Sequence, residues 1–346
     1  MLSSLKSSSR SSAQLFLLAS PLASPRRGWT LAVILTLVLL ILFLISLYRG
    51  SVALTWQEWW QAVLGTGDPT YRAIIWELRL PRILLGVMVG AALGMAGALL
   101  QGMLGNGLAD PYLLGISAGA GLAAVGLLTW GEWTGWVPVV AWVGGLGTTG
   151  VVFALARTPS GWGVERLILA GVAVSALFGA LTSSLLLLAD ERVQVALTWL
   201  IGSLSGRGWA EVGRVAPYIG LGLLVGWGQA RALNLLGLGE EMAVSLGIPI
   251  ARTRLLIGGV AALLTATAVS VSGLIGFVGL VIPHMVRRGV GSDYRWVLPL
   301  SALGGAVLLV GADWVARLGS VELPVGIVTA LLGAPFFAWL LWRREG

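Results

Sequence analysis

From Arg82 to Asp110 no intervening residue carries an ionisable side chain. A run of that length crosses a hydrocarbon layer about 30 Å thick, which takes about 20 helical residues. Within it Gly86, Gly90, Gly94, Ala98 and Gly102 recur at every fourth position. One helix face is thereby left nearly bare, so that a neighbouring backbone can approach closely. A polar, Gly-punctuated turn follows, GNGLADP at 105–111, and then a second small-residue segment, GISAGAG at 115–121. The pattern predicts two close-packed spans joined by a short, specific turn.

The rest of the chain repeats this alternation of long apolar runs and short polar breaks. Residues 1–28 are Ser-rich with Lys6, Arg10, Arg26 and Arg27, and predict a cytoplasmic tail; the short apolar run LFLLASPLAS is also compatible with a signal peptide. A first span is predicted over 29–48. Residues 49–78, with Trp56, Glu58, Trp59, Trp60, Asp68, Tyr71 and Trp76, predict a short interfacial helix. Further spans are predicted at about 135–156, 167–189, 213–230, 296–316 and 323–342. Residues 193–208 are too short and Gly-broken to cross and predict a returning half-helix. The uncharged run from Leu255 to Pro283 is interrupted at Ser272-Gly273 and predicts spans seven and eight. The fold class is therefore all-α and polytopic, a single membrane domain over 29–346 with about ten spans and a re-entrant half-helix after the fifth.

Composition agrees with this class: 57% hydrophobic, 11% charged and a mean hydropathy of +0.90 lie outside the usual soluble range. With no cysteine there is no disulfide, thiolate metal site or cysteine nucleophile, and the single histidine, His284, makes no metal site alone. The net charge of +7 raises nucleic acid or anionic lipid as partners, but the charges sit at span ends, which excludes the former. With the N-terminus inside, inner segments hold fourteen basic residues and outer segments eight. That bias places both termini in the cytoplasm. His284, after Pro283, is expected at the end of span eight, in a structural role or as a substrate ligand.

Transport against a gradient needs an energy source. Proton-coupled carriers place Asp, Glu or His inside the membrane, and the central parts of these spans have none. A P-loop needs a lysine after its glycines, and the only lysine is Lys6. If the chain pumps, a partner supplies the energy.

Four stretches, RLPR at 79–82, QGMLGNGLADPYLLGISAGAG at 101–121, GLIGFVGLVIPHMVRR at 273–288 and ELPVGIVTALLGAPFF at 322–337, resemble the membrane permeases of ABC importers for iron-siderophores, haem and cobalamin, the FecCD-type importers. The resemblance spans most of the chain after about residue 75. It implies a non-enzymatic permease of the bacterial cytoplasmic (inner) membrane that pairs with a second permease subunit, identical or paralogous. Two ATPase subunits would bind ATP and Mg, with no cofactor in this chain, and an extracytoplasmic binding protein would deliver the cargo.

Candidate site residues follow, each with a plainer alternative. In the cytoplasmic stretch 231–254, residues 239–248 predict a short amphipathic helix ended by Gly247 and Pro249, with Met242 and Leu246 on one face. A solvated linker helix would look the same. The resemblance makes this the coupling element for the ATPase, with Glu240, Glu241, Met242, Ala243, Leu246 and Gly247. Arg79, Arg82 and Arg317 read as helix-end anchors, with Arg317 paired to Asp313 at i, i+4, or, by resemblance, as docking residues for the binding protein. Asn106 and Leu108 read as a helix-end cap with its neighbour or as a pore gate. Thr182, Ser183 and Ser184 read as packing residues bonded to backbone carbonyls or, by resemblance, as channel lining near the inner gate. Gly86, Gly90, Gly94 and Gly102 are packing residues. Gly107 stands where some relatives carry Pro.

The expected function is translocation of a bulky chelate by alternating access, with an iron(III)-siderophore first and haem or cobalamin next. An ATP-independent carrier or channel is the competing class.

Overall fold

The computed structural model describes residues 25–50, 52–131, 133–158, 161–189, 192–319 and 321–342. Most of the predicted tail, residues 1–24, and the terminal arginines Arg343 and Arg344 lie outside the described residues.

The architecture is a helical bundle. Helix α1 is Pro25–Tyr48, α2 Trp56–Val63 and α3 Pro69–Ala73; a π-turn, Ile74–Arg79, leads without a break into α4, Leu80–Leu104. Then come α5 Ile116–Trp130, α6 Val137–Leu155, a two-strand hairpin of β1 Arg157–Thr158 and β2 Gly161–Trp162, α7 Val164–Leu187 and α8 Val193–Ile201. The remainder is α9 Trp209–Gly228, α10 Ala230–Leu236, α11 Glu240–Ser245, α12 Ile250–Ser272, α13 Val278–Val290, α14 Tyr294–Ala316 and α15 Val325–Trp342. Six helical stretches among the described residues are long and apolar enough to cross a membrane, and α5 and α15 are shorter apolar helices. With α9 and α13 the crossings come to about ten, and α8 is the expected half-helix.

Span two reaches further than its apolar run. The helical stretch Pro69–Leu104 counts 36 residues, so the segment expected as a free interfacial helix is divided. Only α2 stands apart, started by a Thr55/Glu58 capping box; the rest extends the span. Asp68 caps α3 through the Thr70 amide at 2.7 Å with Pro69 at its first position. The two amide and hydroxyl bonds from Thr55 hold the Glu58 carboxyl below its ordinary range.

The core runs through α4, α12 and α14. On α4 the every-fourth-residue face meets α14 backbone to backbone: a Cβ at Gly90 would lie 2.3 Å from the Gly305 carbonyl oxygen, and one at Gly94 2.1 Å from that of Ser301. Gly86 faces Val310, and Gly102 accommodates the Tyr294 ring and Leu233. Gly97, off the predicted face, does the same for α13, where a Cβ would lie 1.9 Å from the Gly279 oxygen. Without a strong hydrophobic drive between helices in lipid, such close van der Waals contact holds the bundle.

Two departures from regular helix sit in the interior. Helix α13 has 13 residues, about 20 Å at 1.5 Å per residue, and the irregular segment 273–277 leads into it. The Tyr112 hydroxyl donates to the Ile275 carbonyl at 2.8 Å and accepts from the Ile275 amide at 2.9 Å. Ser203 N donates to Ser272 O at 2.7 Å. Irregular backbone persists at membrane depth only with such partners. Helix α13 also corrects the expectation for His284, which lies buried inside the helix and not at its end. The helix continues because the loss caused by Pro283 is repaired. Proline offers no N–H to the carbonyl four residues back, and the Gln101 side-chain amide donates to that carbonyl, Gly279 O, at 3.2 Å.

Replacing Gly94 by Val is expected to abolish the folded, detergent-stable protein or cost more than the usual overpacking penalty of about 1–3 kcal/mol, because the obstacle is backbone. Gly147→Ala on α6, where a Cβ meets nothing within 4 Å, is expected to leave the melting temperature within about 1 °C of wild type, surface changes usually lying within about 0.5 kcal/mol. Thermal unfolding of the two purified variants checks both.

Candidate functional site

At one end of the bundle α11 projects from the corner between α10 and α12. Gly239 and Gly247, at φ +102° and +84°, turn the chain into and out of the helix in a region that favours glycine. Ala243 is fully buried against the chain itself, whereas Met242 and Leu246 are each about half exposed, at 52% and 51%. Buried Arg254 fixes the corner, donating to Glu240 and, at 2.8 Å, to the Trp162 carbonyl. Trp162 in turn donates from Nε1 to Phe153 O at 2.7 Å. On the other side the Asn234 amide donates to Asp293 at 2.7 Å and its oxygen accepts from Tyr294 N at 2.9 Å. The short helix is thus pinned to α12 and, through Arg254, linked to the hairpin, while α10 beside it is tied to α14.

The turn after α4 is built by local bonds. Gly105, at φ +60°, ends the helix. Asn106 does not cap that end; its side chain accepts from Leu108 N at 2.9 Å and shapes the turn, leaving Leu108 39% exposed. Asp110 accepts from Tyr112 N at 2.8 Å to start the short 3-10 helix Pro111–Leu114. Gln101 ties the turn down, donating to Ala109 O at 3.1 Å and to Gly279 and Leu280 O at 3.2 Å each while accepting from Arg287. On α7 the hydroxyls of Thr182, Ser183 and Ser184 donate to the carbonyls of Phe178, Gly179 and Ala180 at 2.7, 3.0 and 3.0 Å, and Ser183 and Ser184 lie on an exposed face.

At the opposite end three arginines are turned inward. Arg82 meets Asp313 at 2.8 Å and Glu322 at 2.5 Å, and Asp313 also receives Arg317 at 3.2 Å. Arg317 donates further to Ser46 and to Asp313 O. Arg79 satisfies the end of α1, donating to Leu47 O at 2.9 Å, Tyr48 O at 2.8 Å and Val52 O. A cavity of about 210 Å³ lies beside them, bordered also by Arg207.

A profile match places this chain among known proteins: that of the FecCD transport family covers residues 38–343. The chain belongs to that family. It is 44% identical to the cobalamin import system permease protein BtuC of Halobacterium salinarum, over 82% of this chain and 78% of that one. To the Fe(3+) dicitrate transport system permease protein FecD of Escherichia coli it is 42% identical, over 91% and 99%. A solved structure described as an inward-facing conformation of a metal-chelate type ABC transporter superposes with a TM-score of 0.82 at 33% identity, covering 92% of this chain and all of that one. Family membership identifies a multi-pass ABC permease, a transport component. It leaves the cargo open, since relatives at nearly equal identity are named for different ones.

In this FecCD family chain the coupling candidates fall on α11 and the two residues after it; Ala243 faces inward, and Met242 and Leu246 are exposed together with Val244 and Leu238. Arg79, Arg82 and Arg317 cluster at one end of the bundle, and their guanidinium groups are spent on partners in the same chain. The anchoring alternative, including the Arg317–Asp313 pair, describes this geometry. Gln101, Tyr112 and Arg254 were not singled out from the sequence. Their signal was a polar residue inside an otherwise apolar helix or next to a span.

Arg82→Ala is expected to destabilise the protein by less than the about 3–5 kcal/mol of a fully orphaned buried charge, because Arg317 still pairs with Asp313. The double variant Arg82→Ala/Asp313→Ala is expected to lose less than the sum of the two single losses. Denaturation of the three variants in one detergent measures the coupling.

Proposed function

We propose that this chain is the permease subunit of an ATP-driven importer that moves a bulky metal chelate, received from an extracytoplasmic binding protein, by alternating access. The observation that carries the proposal is α11: a half-exposed Met242/Leu246 patch on a helix pinned through Glu240 and Arg254 to the foot of a core span. A flexible, apolar contact surface held on a rigid arm suits seating in a groove of an ATPase subunit, which would supply ATP hydrolysis and the Mg site. The α11 end is then cytoplasmic, as are both termini, and the arginine end faces outward, where Arg79, Arg82 and Arg317 would shape the surface that receives the binding protein.

The outward apolar face of α7, with Leu169, Val172, Leu177 and Leu181 exposed, supports pairing with a second permease subunit. Asn106 and Leu108 in the turn, and Thr182 and Ser183 on α7, would then border the pathway, the hydroxyls already satisfied by backbone and so offering a weakly polar wall. Among cargoes an iron(III)-siderophore is the first choice, with haem and cobalamin next. No covalent chemistry acts on the cargo in this chain.

Vesicle uptake of labelled ferric siderophore, haem and cobalamin, with the cognate ATPase and binding protein present or omitted, tests the reading. ATP-dependent uptake of one cargo that needs all three components is expected; uptake that persists without the ATPase would instead establish a secondary carrier. Met242→Asp and Leu246→Asp are expected to weaken ATPase association about tenfold or more, some 1.4 kcal/mol, at unchanged melting temperature. Ala243→Asp is expected to lower the melting temperature itself, because that site is buried. Co-purification and thermal scans separate the two effects.

A further inference from the structure

We propose that the groove between α9 and α12 is a binding site for one anionic phospholipid of the leaflet at the α11 end. The groove encloses about 470 Å³ and is lined by Leu221, Gly222 and Val225 of α9 and by Leu256 and Gly259 of α12, with Arg252 at its rim. Apart from that rim its walls are apolar. On the α12 side it is open at Gly259, where a Cβ would meet nothing within 4 Å, while on the α9 side Gly222 lets the Leu264 side chain pack against the helix. Its lining runs along α12 from Arg252 to Leu263, a rise of about 16 Å at 1.5 Å per residue. That matches one leaflet's share, about 15 Å, of a hydrocarbon core roughly 30 Å thick.

Charge complementarity selects the occupant. Arg252 is exposed in the first turn of α12, and among the described residues it takes part in no ion pair. Glu240, in the same corner, is engaged by Arg254. Trp227, 55% exposed near the end of α9, lies at the same end of the bundle. An aromatic and an arginine at a span end mark the headgroup level. An acyl chain laid along Gly222 and Gly259 brings its phosphate to that level, where the Arg252 fork pairs with phosphate oxygens. This site depends on the membrane fold and not on the transport reading.

Native mass spectrometry of the full-length chain in detergent, titrated with phosphatidylglycerol or with phosphatidylcholine of the same acyl chains, tests it. One retained phosphatidylglycerol is expected, favoured about fivefold, the factor given by about 1 kcal/mol for a basic side chain near an anionic surface. Arg252→Gln is expected to erase the preference while phosphatidylcholine still binds; Arg166→Gln, on α7, is expected to keep it. Gly259→Phe, or Leu256→Trp if the first variant does not fold, is expected to reduce retention of both lipids. Equal retention of the two lipids by wild type, or a preference that survives Arg252→Gln, overturns the proposal. So does loss of the bound lipid when the chain dimerises, since a second copy would then cover the groove.

Discussion

Every backbone amide and carbonyl placed at membrane depth must find a partner within the protein, because lipid offers none. Regular helices meet this demand by themselves. This chain breaks its helices at 105–115, at the foot of α4, and at 273–277, and the fold therefore depends on the side chains that repair those breaks. Gln101 takes the carbonyl that Pro283 leaves open and Tyr112 closes both polar groups of Ile275. The two repairs join the same pieces of structure. The turn after α4 and the start of α13 are consequently one connected unit, although 178 residues separate Gln101 from Gly279.

Around that unit the bundle is held in two different ways. Along α4 and α14 glycines remove side chains until carbonyl oxygens occupy the space a Cβ would need, so dispersion and shape hold the seam. At the arginine end charge takes over: two carboxylates and three guanidinium groups connect α4, α14, the end of α1 and the loop before α15. Buried charge is costly unless hydrogen-bonded on all sides. Here the buried guanidinium groups of Arg82, Arg317 and Arg79 find carboxylate, hydroxyl or carbonyl acceptors on neighbouring elements.

Much of this was legible in the sequence because the strongest signals are periodic or compositional. The seam glycines Gly86, Gly90, Gly94 and Gly102 appear at fixed spacing, the breaks at Gly105 and Gly273 are glycine-marked, and α11 is bracketed by Gly239 and Gly247. What could not be read were long-range partners. Nothing local says that Gln101 repairs the helix around Pro283, so a proline in an apolar run was taken as an ending. Nor does Arg82 declare that its partners lie at Asp313 and Glu322. The gap between a basic residue at a span mouth and a buried ion pair is one of orientation, which only packing decides.

The helical stretch from Pro69 to Leu104 counts 36 residues, about 54 Å of rise against a hydrocarbon core of roughly 30 Å. It is one continuous strut, with arginine pairs clamping its upper third and the Gln101 contacts clamping its foot. A strut of this kind resists shortening, so a displacement imposed at one end arrives at the other as a translation or a tilt. The π-turn at Ile74–Arg79 lies within that strut and carries Arg79, the first arginine of the clamp, at its lower end, so the clamp grips the strut where its winding changes.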